Sequence, residues 1–142
     1  MQAYELMTCP AAVLAPSSSL MGALRWMRQA GVSELPVLDG GRFAGLVRER
    51  DLLEALWPLP LPGLRASLWP SQAGQAVRSL MRRVPAATPD MPLPAALRLL
   101  LDARLSSLPV VGGGGDLLGM LSSAAVLERL AAGPPPPPQE DL

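Results

Sequence analysis

The sequence is internally duplicated, and this duplication constrains the fold more than any other feature. The tripeptide Leu-Pro-Val at positions 35–37 recurs at positions 108–110, an offset of 73 residues, each time two residues after a serine. After a glycine-containing turn the offset becomes 74, because one residue is inserted, and it then pairs Gly45 with Gly119. Such a period indicates repeated structural units. A unit of about 50 residues is marginal alone, so the two copies should pack into one pseudo-symmetric body with clefts along their seam.

Each copy is predicted to contain a strand, a helix, a hairpin and a second helix, preceded by a short helical turn. In the first copy, serines at 17–19 offer N-caps for a helix, and Gly31 ends it. One face of this helix is apolar and comprises Leu20, Ala23, Leu24, Met27 and Ala30. Two apolar runs flank Gly40 and Gly41, a pattern typical of a β-hairpin. The predicted elements are a turn at 4–7, a strand at 12–14, the helix, hairpin strands at 35–38 and 43–47, and a helix at 51–57.

The predicted fold class is therefore α/β (α+β), with two pseudo-symmetric β-α-β-β-α motifs packed through their small sheets. The first motif should occupy residues 1–57 and the second residues 72–132, with helix resuming over 72–81. Prolines at alternate positions force an extended chain between them, so 58–71 is predicted to be a Pro-rich apolar linker. Residues 133–142 contain five consecutive prolines and are predicted to form a disordered tail.

Composition excludes several classes of function. The chain has 12 Arg and no Lys against 12 acidic residues, and this zero net charge argues against a nucleic-acid-binding surface. It has no His, the commonest general base and metal ligand, and the single Cys9 excludes an internal disulfide or a zinc cluster with Cys ligands. The glycines at 112–115 lack the Lys and Ser or Thr of a phosphate-binding loop. We therefore expect a protein that is not an enzyme, with neither a metal nor a catalytic cofactor.

The same residues bear on location. No apolar run reaches membrane-spanning length, because Pro or charge interrupts each one. The first five residues lack the basic and apolar regions of a signal peptide. We therefore expect a cytoplasmic protein without a membrane or nucleic-acid partner.

Residues 45–51 have the features of an anion site. An apolar run ends there, charged residues follow, and an apolar helical pattern begins. A helix N-terminus offers free backbone N–H groups and partial positive charge, to which Arg48 adds forked donors suited to phosphate. Asp51 is placed to cap the helix or to accept hydrogen bonds from a sugar diol. For this segment taken alone, a charged cap on an ordinary helix is the commoner interpretation.

Three motifs occur in the same order in both copies. They are a leading Met followed by Pro (Met7 and Pro10, then Met81 and Pro85), the Leu-Pro-Val strand, and the glycine after the turn. This ordered set resembles a tandem pair of CBS domains, named after cystathionine β-synthase, over about residues 3–132. The resemblance implies a non-catalytic part that binds an adenine-containing ligand (AMP, ADP, ATP, S-adenosylmethionine or sometimes NAD) in clefts between the paired domains and regulates another activity.

The ligand signature of the family is Gly, two apolar residues, Ser or Thr, two residues of any kind, then Asp. Its hydroxyl contacts phosphate, and its Asp holds both ribose hydroxyls. The first copy keeps Asp51 but has Arg48 at the hydroxyl position, whereas the second keeps Ser122 and has Ala125 in place of Asp. Loss of the Asp removes charge-assisted hydrogen bonds worth about 1.5–3 kcal/mol each. The cleft at Asp51 is therefore predicted to be the better site.

The resemblance implies ten ligand-binding candidates. Asp51 would hold the ribose and Arg48 the phosphate. The adenine wall of that site would be formed by Ala12, Val13, Leu35 and Pro36, with Glu34 at the rim. Candidates in the second copy are Ser122, Ser107 and Pro109. Structural capping is at least as good an explanation for these serines, and the Leu-Pro-Val strands belong to the core whether or not a ligand binds.

Two functions remain open. The first is a stand-alone regulatory module that binds an adenine nucleotide, forms a homodimer and signals occupancy to a separate, unidentified protein through a population shift. The second is a ligand-free scaffold used for dimerisation or protein–protein contact, which the two altered signatures favour.

Overall fold

The computed structural model describes residues 1–57, 74–134 and Pro138. The predicted linker at 58–71 and most of the predicted tail at 133–142 lie outside the described residues. The elements, in chain order, are α1 (Ala3–Leu6), α2 (Leu20–Ala30), β1 (Glu34–Asp39), β2 (Arg42–Arg48), α3 (Glu49–Ala55), a short 3-10 helix (Val77–Ser79), α4 (Leu93–Asp102), β3 (Ser107–Val111), β4 (Leu117–Ser122) and α5 (Ser123–Ala131).

Helix α2 begins and ends where its sequence predicts. The side chain of Ser19 accepts a hydrogen bond from the backbone N–H of Gly22, which satisfies one of the free donors of the first turn. Gly31 ends the helix in the left-handed conformation, with a φ of 68°. The buried residues of the helix are Leu20, Ala23, Leu24 and Met27. Ala30, predicted on the same face, is exposed, because it is the last residue of α2 and lies past the packed turns.

Each half contains one antiparallel hairpin. Strands β1 and β2 are joined by Gly40 and Gly41, which both have positive φ, 59° and 83°. A two-residue turn of this kind matches the twist of the flanking strands and favours glycine at both positions. Strands β3 and β4 form the second hairpin through a longer glycine-rich turn, where the offset between the copies changes from 73 to 74.

A short extended piece of chain pairs with each hairpin. The N–H of Leu14 donates to the carbonyl of Pro36, and the N–H of Leu38 donates to the carbonyl of Leu14. Ala87 makes the equivalent two hydrogen bonds to β3. The extended segment predicted at 12–14 is therefore present as this bridge to β1.

The two halves exchange the segments that lead into them, which we name the first leading segment (7–11) and the second leading segment (81–85). Thr8 of the first forms two backbone hydrogen bonds with Met120 on β4, both of 2.8 Å. Arg82 of the second forms the equivalent pair with Leu46 on β2, at 2.8 and 2.9 Å. Each leading segment thus pairs with the last strand of the other half.

The glycine of each signature permits this crossing. A Cβ atom built on Gly45 would lie 2.7 Å from the backbone oxygen of Arg82, closer than real Cβ contacts allow. A Cβ on Gly119 would lie 3.0 Å from the backbone oxygen of Thr8. Glycine is therefore needed at these positions so that the crossing segment can approach the strand.

The apolar side chains form two cores that share residues across the halves. The core of the first half includes Met27, Val37 and Leu52, and Val77 joins it from beyond α3. The core of the second half receives Leu46 from β2 and Ala3 from α1. The predicted fold class, two mixed α/β motifs with small antiparallel sheets, is confirmed, and the crossing segments bind the halves into one body.

Two predictions of secondary structure were wrong. Helix was predicted over 72–81, yet the described part of that range contains no α-helix, and only Gly74 and Val77–Ser79 have 3-10 conformation. Ala76 is extended because the backbone here bonds to the chain before α2: the N–H of Leu20 donates to Gln75, and the N–H of Val77 donates to Ser18. Helix α3 also starts two residues before the predicted Asp51, directly after β2. No helix in the described ranges is long and apolar enough to cross a membrane.

Candidate functional site

Asp51 is the third residue of α3 and does not cap it. The N-cap residue is Arg48, whose side chain makes no capping hydrogen bond. The carboxylate of Asp51 instead accepts two hydrogen bonds from the guanidinium of Arg82: Nε donates to Oδ2 over 2.8 Å, and one terminal nitrogen donates to Oδ1 over 3.1 Å. The side chain of Asp51 is 8% exposed and that of Arg82 is 58% exposed. Both oxygens that would hold a ribose diol are therefore engaged by the chain itself.

The pairing also fixes the charge of Arg82. The hydrogen bond to Asp51, and then the negative charge of that carboxylate, raise the pKa of Arg82 above its ordinary value. A raised pKa means that this contribution to stability is complete at neutral pH and is lost only as the pH rises through the strongly alkaline range in which a guanidinium deprotonates. The guanidinium is therefore charged throughout the neutral range.

The groove around this ion pair, which we name the Asp51 cleft, has a volume of about 430 Å³. It lies between α3 and the chain that leads into the second half. Its charged lining residues are Asp51, Glu54 and Arg82, and it is completed by Ala55, Ser79, Leu80 and Met81. None of the residues predicted to form the adenine wall lines it.

Arg48 lines a different groove, so the structure does not bring it together with Asp51 at one cleft. This groove, which we name the central cleft, measures about 520 Å³ and lies where the two halves meet. Three arginines line it, Arg48, Arg50 and Arg104, together with the carboxylates of Glu34 and Glu49. Its other lining residues are Ser33, Leu53, Leu100, Leu101, Leu105, Ser106 and Ser123.

A third groove brings together half of the predicted ligand-binding residues. This Ser122 cleft, of about 220 Å³, is lined by Glu34, Leu35, Pro36, Ser107 and Ser122. The first leading segment closes it with Thr8, Cys9, Pro10 and Ala11, and Val32 and Met120 complete it. Leu35 and Pro36 were predicted to serve the Asp51 site because they belong to the same half. The crossing of the leading segment places them beside Ser122 instead.

Ser122 has a structural role as well as a place in this cleft. Its side chain caps α5 by accepting a hydrogen bond from the N–H of Ala125 over 3.0 Å. Ser107 pairs with Ser122 across the second hairpin. The structural alternative considered for these serines, helix capping, is thus observed for Ser122. Ser122 is also the position at which the family signature has a phosphate-binding hydroxyl.

The remaining adenine-wall candidates lie elsewhere. Ala12 packs against the core of the first half, and Val13 is 50% exposed. Pro109 is buried in β3, where its carbonyl accepts the hydrogen bond from Ala87. Their positions fit a part in building the fold.

Glu34 joins the Ser122 cleft to the central cleft, since it lines both. The residue is nearly buried, with 9% of its surface exposed to solvent. Its Oε1 accepts hydrogen bonds of 2.8 Å from both the N–H and the hydroxyl of Ser106. Its Oε2 is buried and has no hydrogen-bond partner among the described residues. This oxygen is a strong acceptor without a donor.

The ligand-binding residues predicted from the sequence did not include Arg82 or residues 8–11 of the first leading segment, although Pro10 was identified as part of the repeated motif. The 74-residue offset does pair Thr8 with Arg82, so their equivalence was visible. Which strand each would cross to was not, because the crossing depends on contacts more than 30 positions apart, such as Leu46 with Arg82. Among the described residues, no group of three or more His, Cys, Asp or Glu side chains is placed to hold a metal ion.

Comparison with known proteins gives a consistent result. The family model described as "CBS domain" matches twice, at residues 3–58 and 77–132. The structure is similar to a CBS domain pair/ACT domain protein from Thermotoga maritima, with 25% identity, a TM-score of 0.71, and coverage of 93% of this chain and 98% of that one. A comparison with curated proteins found no match.

Two further solved structures are similar and carry information on ligands of their own. CBSX2, a CBS-pair protein from Arabidopsis thaliana, is represented by two crystal structures, one of which is a complex with AMP. Its AMP complex is 29% identical to this chain, with a TM-score of 0.73 and coverage of 92% of this chain and 96% of that one. The CBS domain pair of protein MJ0100 was solved in complex with 5′-methylthioadenosine and S-adenosyl-L-methionine. It is 18% identical to this chain, with a TM-score of 0.74 and coverage of 94% of this chain and 98% of that one. At this low identity the similarity supports the fold alone.

Proposed function

The chain belongs to the CBS domain family, and from this premise we propose that it is a regulatory module that binds an adenine-containing ligand, such as AMP, ADP, ATP or S-adenosylmethionine. CBS-pair proteins are in general regulatory modules and not enzymes. The AMP complex of CBSX2, a protein of the same architecture, supports an adenosine ligand for this chain.

The observation that carries the proposal is the composition of the Ser122 cleft. Leu35, Pro36 and Met120 form its apolar lining, and Ser107 and Ser122 add hydroxyl groups to that lining. Small-molecule sites typically combine an apolar lining with a few polar groups that set orientation. The Asp51 cleft lacks the apolar strand residues, and its acid is already paired with Arg82. We therefore favour the Ser122 cleft for the adenosine.

A ligand in this cleft would contact residues of both halves. It would touch Pro10 and Ala11 from the first leading segment, Leu35 from β1, and Ser122 from β4. A ligand shifts a conformational equilibrium by its difference in affinity for the two states. Occupancy would therefore favour one arrangement of the halves, and a regulated protein would read that arrangement.

Two exposed substitutions test the location of the ligand. Ala11 is exposed and lines the Ser122 cleft, so Ala11→Trp should fill that cleft without disturbing the core. Ser79 is exposed and lines the Asp51 cleft, which makes Ser79→Trp the matched control. Calorimetric titration with adenosine, AMP, ATP and S-adenosylmethionine should show binding to the parent protein and to Ser79→Trp, and a loss for Ala11→Trp. A ligand at 100 times its dissociation constant should also stabilise the protein by about 2.7 kcal/mol.

The opposite pattern would relocate the site. If Ser79→Trp abolishes binding and Ala11→Trp does not, the ligand occupies the Asp51 cleft, as the sequence signature predicts. If none of the four compounds binds the parent protein, the proposal fails.

A ligand-free scaffold is the second candidate function. Two observations favour it. In the first half the signature residue Asp51 is already paired with Arg82, and in the second half Ala125 stands at the position of the signature Asp. Absence of adenosine binding together with a stable dimer would support this alternative.

We propose a homodimer in either case. Leu127 and Leu130 lie on one face of α5 and are 64% and 68% exposed, and paired apolar exposure of this kind is typical of a contact surface. Sedimentation should show a dimer that Leu130→Arg weakens, whereas Val13→Arg, a control at another exposed apolar residue, should leave it intact. A monomer at all concentrations would overturn this part of the proposal.

A further inference from the structure

We infer that Glu34 makes the Ser122 cleft selective for the charge of its ligand, so that uncharged or cationic adenosine derivatives bind in preference to phosphorylated ones. The inference rests on the proposed function and specifies its ligand class. The combination that points to it is a nearly buried carboxylate, one oxygen of which has no donor among the described residues, beside a cleft whose described lining contains no basic residue.

The first step concerns the charge balance of the cleft. Within the part of the chain that the structure describes, its lining residues include Glu34 but no Arg, and the other oxygen-bearing side chains are Thr8, Ser107 and Ser122. Charge interactions strengthen as groups leave water. Glu34 is 9% exposed, so its negative charge acts on a ligand in this cleft with little screening. Among the described residues that line this cleft, a phosphate would meet a like charge and no compensating cation.

The second step concerns the free oxygen. Ser106 donates twice to Oε1, which fixes the orientation of the carboxylate and leaves Oε2 without a donor among the described residues. A buried acceptor without a partner is unfavourable, and a positive charge in the adjoining cleft offsets that cost through space. An adenosyl sulfonium supplies such a positive charge, adenosine adds no charge, and a phosphate adds negative charge.

The third step concerns the arginines of the central cleft. Arg48, Arg50 and Arg104 would attract a phosphate chain that extended there from the Ser122 cleft. Glu34 is the one described residue that lines both clefts, so such a chain would pass the carboxylate to reach them. Glu34 therefore opposes phosphorylated ligands along that path.

Two matched pairs of ligands isolate charge from shape. S-adenosylmethionine and S-adenosylhomocysteine differ by the sulfonium methyl and its charge, and adenosine and AMP differ by the phosphate. With the full chain, calorimetry should show S-adenosylmethionine binding at least tenfold more tightly than S-adenosylhomocysteine, and adenosine at least tenfold more tightly than AMP. In Glu34→Gln, which keeps the size and the acceptor for Ser106, both ratios should fall toward one.

Ratios of affinities within one variant do not depend on how much of that variant is folded, so a loss of stability in Glu34→Gln would not obscure the result. Glu49→Gln removes a carboxylate of the central cleft that does not line the Ser122 cleft, and it should leave both ratios unchanged. AMP or ATP binding as tightly as adenosine, or ratios that persist in Glu34→Gln, would overturn the inference while the proposed function stands. Failure of all compounds to bind would overturn both.

Discussion

The guanidinium of Arg82 donates two hydrogen bonds to the carboxylate of Asp51. The second leading segment therefore binds Asp51, the acidic residue of the ligand signature in the first half. The same arginine forms two backbone hydrogen bonds with Leu46. Side chain and backbone of one residue thus hold the two halves together. The acid that the sequence assigns to a sugar serves in this structure as a link between repeats.

Removing either member of this pair should destabilise the protein. Arg82→Met keeps the aliphatic stem but leaves the nearly buried carboxylate of Asp51 without its partner, and Asp51→Asn removes the charge. Because the two residues interact directly, the double variant should lose less stability than the sum of the single losses. Thermal unfolding of the four proteins measures this coupling.

Arg83→Met is the control for that cycle, because Arg83 is an exposed neighbour on the same segment. Its melting temperature should stay close to that of the parent protein. Additive losses in the double variant would show that the ion pair does not contribute as described.

Replacing the glycine beneath the crossing should be costly. In Gly45→Ala the new methyl group would meet the backbone oxygen of Arg82 at 2.7 Å, and that oxygen cannot retreat without losing its hydrogen bond from Leu46. Overpacking of this kind costs about 1–3 kcal/mol. Urea unfolding should show this loss for Gly45→Ala and almost none for Gly113→Ala, since a Cβ at Gly113 meets no atom within 4 Å. Equal effects would contradict the steric explanation.

The cap of α2 should make a measurable contribution. Ser19→Ala leaves the N–H of Gly22 without its side-chain acceptor. Loss of such a cap lowers the free energy of unfolding by about 1 kcal/mol. Ser17 is exposed, and Ser17→Ala should leave stability unchanged. A chemical denaturation midpoint that does not move for Ser19→Ala would argue that another donor or water replaces the cap.

Leu46 should couple the stability of the two halves. It lies on β2 of the first half, yet it is fully buried in the core of the second. Leu46→Ala should lower the free energy of unfolding by about 2–5 kcal/mol, with both halves unfolding in a single transition. Leu101→Ala, at an exposed leucine of α4, is the control and should change little. Two separate transitions in the parent protein would show that the halves are independent.

Much of the local structure could be predicted from the residues themselves. Ser19 and Gly31 mark the ends of α2, and Gly40 with Gly41 marks the first hairpin turn, because capping and positive φ are local requirements of the backbone. The duplication and the ordered motifs identified the family, and the family model matches both halves. The wrong helix at 72–81 has a long-range cause, since its apolar periodicity could not reveal that the chain there bonds to Ser18 and Leu20.

What the sequence alone determined is the pair of repeated units and their internal elements, because those follow from short-range periodicity, caps and turns. Which unit completes which cleft was decided only by the tertiary structure. The local sequence pattern would be the same whether a leading segment paired with a strand of its own half or crossed to the other half. The choice depends on long-range contacts such as Thr8 with Met120 and Arg82 with Leu46. That crossing joins Arg82 to Asp51 and moves Leu35 and Pro36 to the cleft of Ser122.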